Sequence, residues 1–111
     1  MNTVKNTVKE IFDAMPASFR PEAAAGLEVV YQFDITGEGG GQWYAAIKDG
    51  TLELAAGRHA SPSATITSKA TDYLAIANGK ANEMMAFALG RIRVSGNIPA
   101  AMKLNKIFKR R

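Results

Sequence analysis

The stretch that decides the fold is residues 79–104, which reads GKANEMMAFALGRIRVSGNIPAAMKL. Within it, residues 83–89 carry more apolar side chains than one face of a helix in a small domain buries. At about 100° per residue, these side chains cover an arc of roughly 200° around a helix. The surplus must contact another helix, a partner chain or a bound apolar molecule. The adjacent Met84 and Met85 favour a bound molecule slightly, because flexible thioether side chains adapt to varied apolar shapes.

Strands are predicted wherever apolar and polar residues alternate, as they do on a half-buried strand. The predicted strands are residues 27–35, 42–48, 51–54, 63–67 and 91–95. The Asp49-Gly50 pair is the strongest hairpin-turn signal in the chain. Tyr31, Phe33 and Trp43 fall on the inward-facing positions, where they serve as core or as the lining of a cavity.

Helical spacing predicts helices over residues 1–15, 68–80 and 83–89, and a last helix that begins after Asn97. Asn2 or Thr3 is expected to cap the first helix, and Ser68 or Thr71 the second. The element order predicts an α+β domain. Its five-stranded, mainly antiparallel sheet is expected to have helices packed on one face.

Composition limits the function classes that the chain can belong to. The 111 residues predict a single domain over positions 1–111. Cysteine is absent, which excludes disulfides and thiolate chemistry and fits a reducing cytosol. The first 15 residues lack the apolar core of a signal peptide, and no apolar run approaches the roughly 20 residues of a membrane span.

Catalytic side chains are few. His59 is the only histidine, and it has no second ligand at the spacing of a metal motif. Glu28 and Asp34 alternate with apolar residues, so a solvated strand face explains them better than an acid/base pair. The glycines at 37–41 open a strand and not a helix, so they lack the helix N-terminus of a phosphate cradle. We expect no enzyme activity, catalytic residue, metal or cofactor.

The net charge of +4 is concentrated near the C-terminus, where no acidic residue follows Glu83. Such asymmetry favours an anionic partner, either lipid or nucleic acid. The last predicted helix carries Lys103, Lys106 and Arg110 on one face, opposite a broad apolar face. That pattern fits a helix lying on an anionic membrane, but a core-packed helix with solvated lysines explains it better. Nucleic acid is the weaker candidate, because the aromatic residues that would stack on bases face inward.

Nearly the whole chain resembles the sterol carrier protein type two family. The runs that carry the resemblance are Pro62-Ser63-Ala64-Thr65-Ile66-Thr67, Asp72-Tyr73-Leu74, Gly79-Lys80, Ala86-Phe87, Gly90-Arg91-Ile92-Arg93-Val94-Ser95-Gly96-Asn97 and Ala101-Met102-Lys103-Leu104, with Gln32-Phe33-Asp34, Trp43 and Asp49-Gly50 upstream. The resemblance implies helices on one side of the sheet and an apolar tunnel between them. Family members bind fatty acids, fatty acyl-CoA, sterols or phospholipids without changing them chemically.

By position in that family, ten residues are candidates for the tunnel lining. They are Phe33, Trp43, Ile66, Leu74, Met84, Met85, Phe87, Leu89, Ile98 and Met102. The function expected from the resemblance is binding, and possible transfer, of a long-chain lipid or acyl-CoA, with transient contact to an anionic membrane. The alternative is an accessory or scaffold protein that presents an isoprenoid or quinone intermediate to a partner enzyme.

The last three residues bear on the expected location in the cell. Peroxisomal members of the family end in a small-basic-leucine signal, whereas this chain ends Lys109-Arg110-Arg111. We therefore expect a cytoplasmic protein.

Overall fold

The computed structural model describes residues 6–108, apart from the side chain of Asn105. The strands are β1 (Glu28–Thr36), β2 (Gly41–Lys48), β3 (Thr51–Ala56), β4 (Ala64–Lys69) and β5 (Ile92–Gly96). The helices are α1 (Val8–Ala14), α2 (Ala70–Ala77), α3 (Glu83–Ala88), α4 (Ile98–Met102) and α5 (Leu104–Ile107). Two short 3-10 helices, Met15–Ser18 and Pro21–Ala24, connect α1 to β1.

The five strands form one sheet in the order β3-β2-β1-β4-β5. All neighbouring strands are antiparallel except β1 and β4, which are parallel. The predicted five-stranded, mainly antiparallel sheet is thus confirmed. Asp49 and Gly50 make the β2–β3 turn with positive φ angles of 45° and 81°, as the sequence of this hairpin predicts.

The connection from β3 to β4 crosses the sheet face opposite Phe33, and it explains why a polar side chain is buried on that face. Gln32 is fully buried. Its Nε2 donates to the Gly57 carbonyl at 3.1 Å, and its Oε1 accepts from the His59 backbone N–H at 2.8 Å. Arg58 adds an ion pair to Asp34 at 2.9 Å. The loop therefore covers Asp34 in part, whereas Glu28 on the same strand is exposed, as expected of a solvated strand face.

An aromatic cluster fixes α1 and α2 against the inward face. Phe12 stacks on Trp43 with ring centroids 4.4 Å apart and on Tyr73 at 5.7 Å, and it meets Phe33 edge-on at 5.1 Å. Thr7 caps α1 in a capping box with Glu10. The expected caps Asn2 and Thr3 lie outside the described residues.

Two further predictions about helices need correction. Neither Ser68 nor Thr71 caps α2, whose N-cap is Lys69, with no side-chain hydrogen bond. The last helix is two short helices that meet at Lys103. The Asn97 cap is confirmed, because its Oδ1 accepts from the Ala100 N–H at 3.0 Å.

Candidate functional site

A cavity of about 150 Å³ lies between the inward face of the sheet and the helices. Most of its lining side chains are apolar, and Tyr73 and Glu83 bring the polar groups. The lining residues are Met15, Phe33, Ile66, Tyr73, Ile76, Glu83, Met84, Phe87, Ile92, Val94, Ile98, Ala101, Met102, Leu104 and Phe108. A lining of this kind suits an apolar ligand with few polar contacts.

Strand register builds the floor of the cavity. Phe33 on β1 lies opposite Ile66 on β4, which lies opposite Val94 on β5. Residues in cross-strand register point to the same side of a sheet. The floor is therefore a row of apolar side chains across three strands, and Ile92 extends it along β5.

The helices α3 and α4 form the opposite wall. Asn82 caps α3 by accepting from the Met85 N–H at 3.1 Å, and Gly79 and Gly90 lie on either side of it with positive φ angles of 75°. The buried Tyr31 hydroxyl donates to the Ala100 carbonyl at 2.5 Å, which attaches α4 to the sheet. Burial raises the pKa of Tyr31 to about 12, so this phenol is neutral at ordinary pH.

The cavity opens to solvent along α3 and α4. Met84, Phe87, Ile98 and Met102 all line it, and yet each is at least 40% exposed. These four side chains therefore form the rim of the cavity, while Phe33 and Ile66 form its buried floor.

Of the ten residues predicted to bind ligand, the structure places six around the cavity. They are Phe33, Ile66, Met84, Phe87, Ile98 and Met102. Trp43 instead stacks on Phe12, and Leu74 packs against the main core. Met85 and Leu89 line a separate surface depression beside Arg91. A ligand-binding role for all ten stays a prediction.

Sequence reasoning missed several lining residues for two different reasons. The predicted strand 91–95 already places Ile92 and Val94 on the inward face, so their alternation was a usable signal. Met15, Leu104 and Phe108 reach the cavity from opposite ends of the chain, and no local pattern indicates that they converge there.

Two of the three charged residues predicted for a membrane surface lie beside α4. Lys103 and Lys106 are exposed, and Arg110 lies outside the described residues. Ile107 and Phe108, on the predicted apolar face of the same helix, are buried in the core.

The catalytic candidates considered in the sequence, Glu28, Asp34 and His59, do not line the cavity. His59 lies on the loop across the other sheet face, where its Nδ1 accepts from the Ser61 N–H at 3.0 Å. Among residues 6–108, no three His, Cys, Asp or Glu side chains are grouped so that they could hold a metal ion. In the same part of the chain, every helix is too short or too polar to cross a membrane.

In a comparison with known proteins, the model of the SCP-2 sterol transfer family matches residues 8–109. Hydroxysteroid dehydrogenase-like protein 2 of Mus musculus is 33% identical over 102 residues. That match covers 91% of this chain and 21% of the mouse protein. The chain thus spans about a fifth of the length of this curated relative.

Solved structures agree with this match. The solution structure of palmitated SCP2L2 from Aedes aegypti is 30% identical, with a TM-score of 0.71, and the match covers 90% of this chain and 88% of that one. The sec-alkylsulfatase Pisa1 from Pseudomonas sp. has a TM-score of 0.74 at 14% identity, over 88% of this chain and 16% of that one. The second likeness shows the fold alone.

Proposed function

The chain belongs to the SCP-2 sterol transfer family, and from this premise we propose that it binds long apolar lipids and carries them without chemical change. Membership of the family implies binding or transfer of apolar lipids. The observation that carries the proposal for this chain is the apolar cavity with its open rim on α3 and α4.

We propose an acyl chain, as a fatty acid or fatty acyl-CoA, as the preferred ligand over a sterol-like one. The Aedes aegypti relative is described as palmitated, which supports this class. Each buried methylene contributes about 0.8 kcal/mol, so affinity needs few polar contacts. The cavity of about 150 Å³ is below the roughly 300–1,000 Å³ of typical ligand sites. Binding should therefore move α3 and α4 outward, so that the rim side chains cover the bound acyl chain.

The proposed function is not enzymatic. The word dehydrogenase belongs to the name of relatives of which this chain covers about a fifth, so it is not carried over. Carriage of an intact lipid requires no acid/base pair, metal or cofactor.

A scaffold that presents an isoprenoid or quinone intermediate to an enzyme is the second candidate. It predicts an exposed apolar surface, and α3 and α4 have one. The structural neighbour UbiJ-SCP2, a ubiquinone synthesis protein, is 10% identical and supports only the fold. We place this candidate second because four exposed apolar side chains of this surface, the rim residues Met84, Phe87, Ile98 and Met102, also line the cavity.

The test is fatty acid binding by two tryptophan variants of neighbouring residues on β5. Val94→Trp fills the floor of the cavity, and we expect it to weaken binding of a fluorescent fatty acid about tenfold or more, because the lost acyl burial exceeds 1.4 kcal/mol. Ser95→Trp is the matched control. Ser95 is the neighbouring residue on β5 and is exposed, whereas Val94 lines the cavity, so Ser95→Trp is expected to bind the fatty acid as the unmodified chain does.

Native mass spectrometry and organic extraction of the purified protein identify any lipid that copurifies. A copurifying acyl lipid supports the proposal. A ligand-free mass, together with no binding of the fluorescent fatty acid, contradicts it and favours the scaffold.

A further inference from the structure

All the strongly exposed large apolar side chains among residues 6–108 lie on one segment, from Met84 to Met102. They belong to α3, to the residue that ends it, and to α4. The set is Met84, Met85, Phe87, Leu89, Ile98 and Met102. Apolar side chains clustered on a surface in this way indicate an interaction site.

A lipid inside the cavity does not account for this whole surface. Met85 and Leu89 are 60% and 62% exposed, and neither lines the cavity. They line an open depression on the outer side of α3, together with Arg91. Only a contact outside the cavity would remove these two side chains from water.

The charged side chains around this apolar surface indicate the chemistry of the partner. Lys80, Arg91, Lys103 and Lys106 are exposed on or beside the same segment. Glu83 is the only acidic residue between positions 79 and 108. Apolar side chains next to cations suit the interface of a bilayer with anionic lipids, where the cations meet phosphate and carboxylate groups.

We propose that α3, α4 and Arg91 form a docking surface for an anionic lipid bilayer. Met85 and Leu89 enter the interface, and Arg91 pairs with lipid headgroups. The inference rests on the proposed function, because the cavity opens within this surface and lipid would pass between bilayer and cavity without crossing water. The predicted membrane role of the last helix changes accordingly: Ile107 and Phe108 face the core, so the apolar contact comes from α3 and α4.

The experiment is cosedimentation of the full chain with vesicles of phosphatidylcholine, with or without about a quarter phosphatidylserine. The double variant Met85→Gln, Leu89→Gln is expected to bind the anionic vesicles about tenfold more weakly, because two apolar side chains no longer leave water. Fatty acid affinity is measured in the same variant. Because neither residue lines the cavity, an equal loss of fatty acid binding would assign both side chains to the ligand, as the sequence predicts, and would overturn their role at the bilayer.

A second pair of variants tests the charge. Arg91→Gln is expected to weaken binding to the anionic vesicles, while Lys48→Gln, an exposed cation outside the segment, is expected to leave it unchanged. Added salt should reduce the difference between Arg91→Gln and the unmodified chain.

Several results overturn the docking surface. They are no binding of vesicles by the unmodified chain, equal binding by the double variant, or a dimer in solution that the double variant abolishes. Fatty acid binding without vesicle binding rejects this surface and leaves the proposed function intact. Vesicle binding that depends on Met85 and Leu89, in a chain that binds no fatty acid, supports the surface and rejects the proposed ligand.

Discussion

Tyr31 shows how one side chain connects the sheet to the wall of the cavity. Its ring is fully buried, and its hydroxyl donates to the carbonyl of Ala100 in α4. The burial that raises its pKa to about 12 also makes this hydrogen bond hard to replace, since water has no access to it. The position of α4, and with it Ile98 and Met102 on the cavity rim, depends on this contact.

Tyr31→Phe is expected to lower the free energy of unfolding by about 1–3 kcal/mol, because it leaves a buried carbonyl without its donor. The variant should also change the response to alkali. The folded chain keeps the phenol protonated up to pH about 12, whereas the unfolded chain loses that proton near 10.0. The contribution of Tyr31 is therefore complete below pH 10.0 and falls as the pH approaches about 12.

Urea unfolding of both proteins across this pH range measures the effect. The gap in stability between the unmodified chain and Tyr31→Phe should narrow with rising pH. A gap that stays constant or widens would show that ionisation of Tyr31 is not coupled to folding.

At the scale of elements, α3 is the least anchored part of the cavity wall. It has six residues, and Ala86 is its buried residue. Helices shorter than about 12 residues are marginal on their own, so α3 depends on its cap and on its packing. Its Asn82 cap and the positive φ angles of Gly79 and Gly90 suit a short segment that changes position when a ligand enters.

Asn82→Ala is expected to destabilise α3 locally by about 1 kcal/mol, because the Met85 N–H loses its acceptor. Hydrogen exchange at the amides of α3 should accelerate about fivefold, with little change in α1. Thr7→Ala, which removes the cap of α1, is the matched control and should show the opposite pattern. Equal acceleration in both helices of either variant would mean that the two helices open together and not separately.

At the scale of the whole molecule, the core and the cavity share one side of the sheet. The core cluster contains Phe12, Tyr31 and Phe33, and Phe33 also lines the cavity. A ligand in the cavity therefore adds apolar contacts directly to the core. It should stabilise the whole fold, and not only the helices at the rim.

Saturating palmitate is expected to raise the Tm, because a ligand that binds only the folded state stabilises it by about 2.7 kcal/mol at a hundred times its Kd. Differential scanning calorimetry measures the shift. The shift should disappear in Val94→Trp and persist in Ser95→Trp. An unchanged Tm in the unmodified chain would contradict binding in this cavity.

Local patterns in the sequence determined most of the architecture. Alternation along residues 27–35, the Asp49-Gly50 turn and the Asn97 cap depend on neighbours in the chain, so they predicted the strands, the hairpin and one helix start correctly. The same patterns placed Phe33 and Ile66 on the inward face. The resemblance to the sterol carrier protein type two family rested on the same residues, and the family match confirmed it.

Only the tertiary structure decided the features that join distant segments. The parallel pairing of β1 with β4 and the burial of Gln32 both follow from the loop that crosses the sheet. Trp43 stacks on Phe12 and is withdrawn from the cavity, whereas Met15 and Phe108 enter its lining from opposite ends of the chain. The physical reason is that sequence periodicity gives the face on which a side chain lies, but packing between distant segments decides what that side chain meets there.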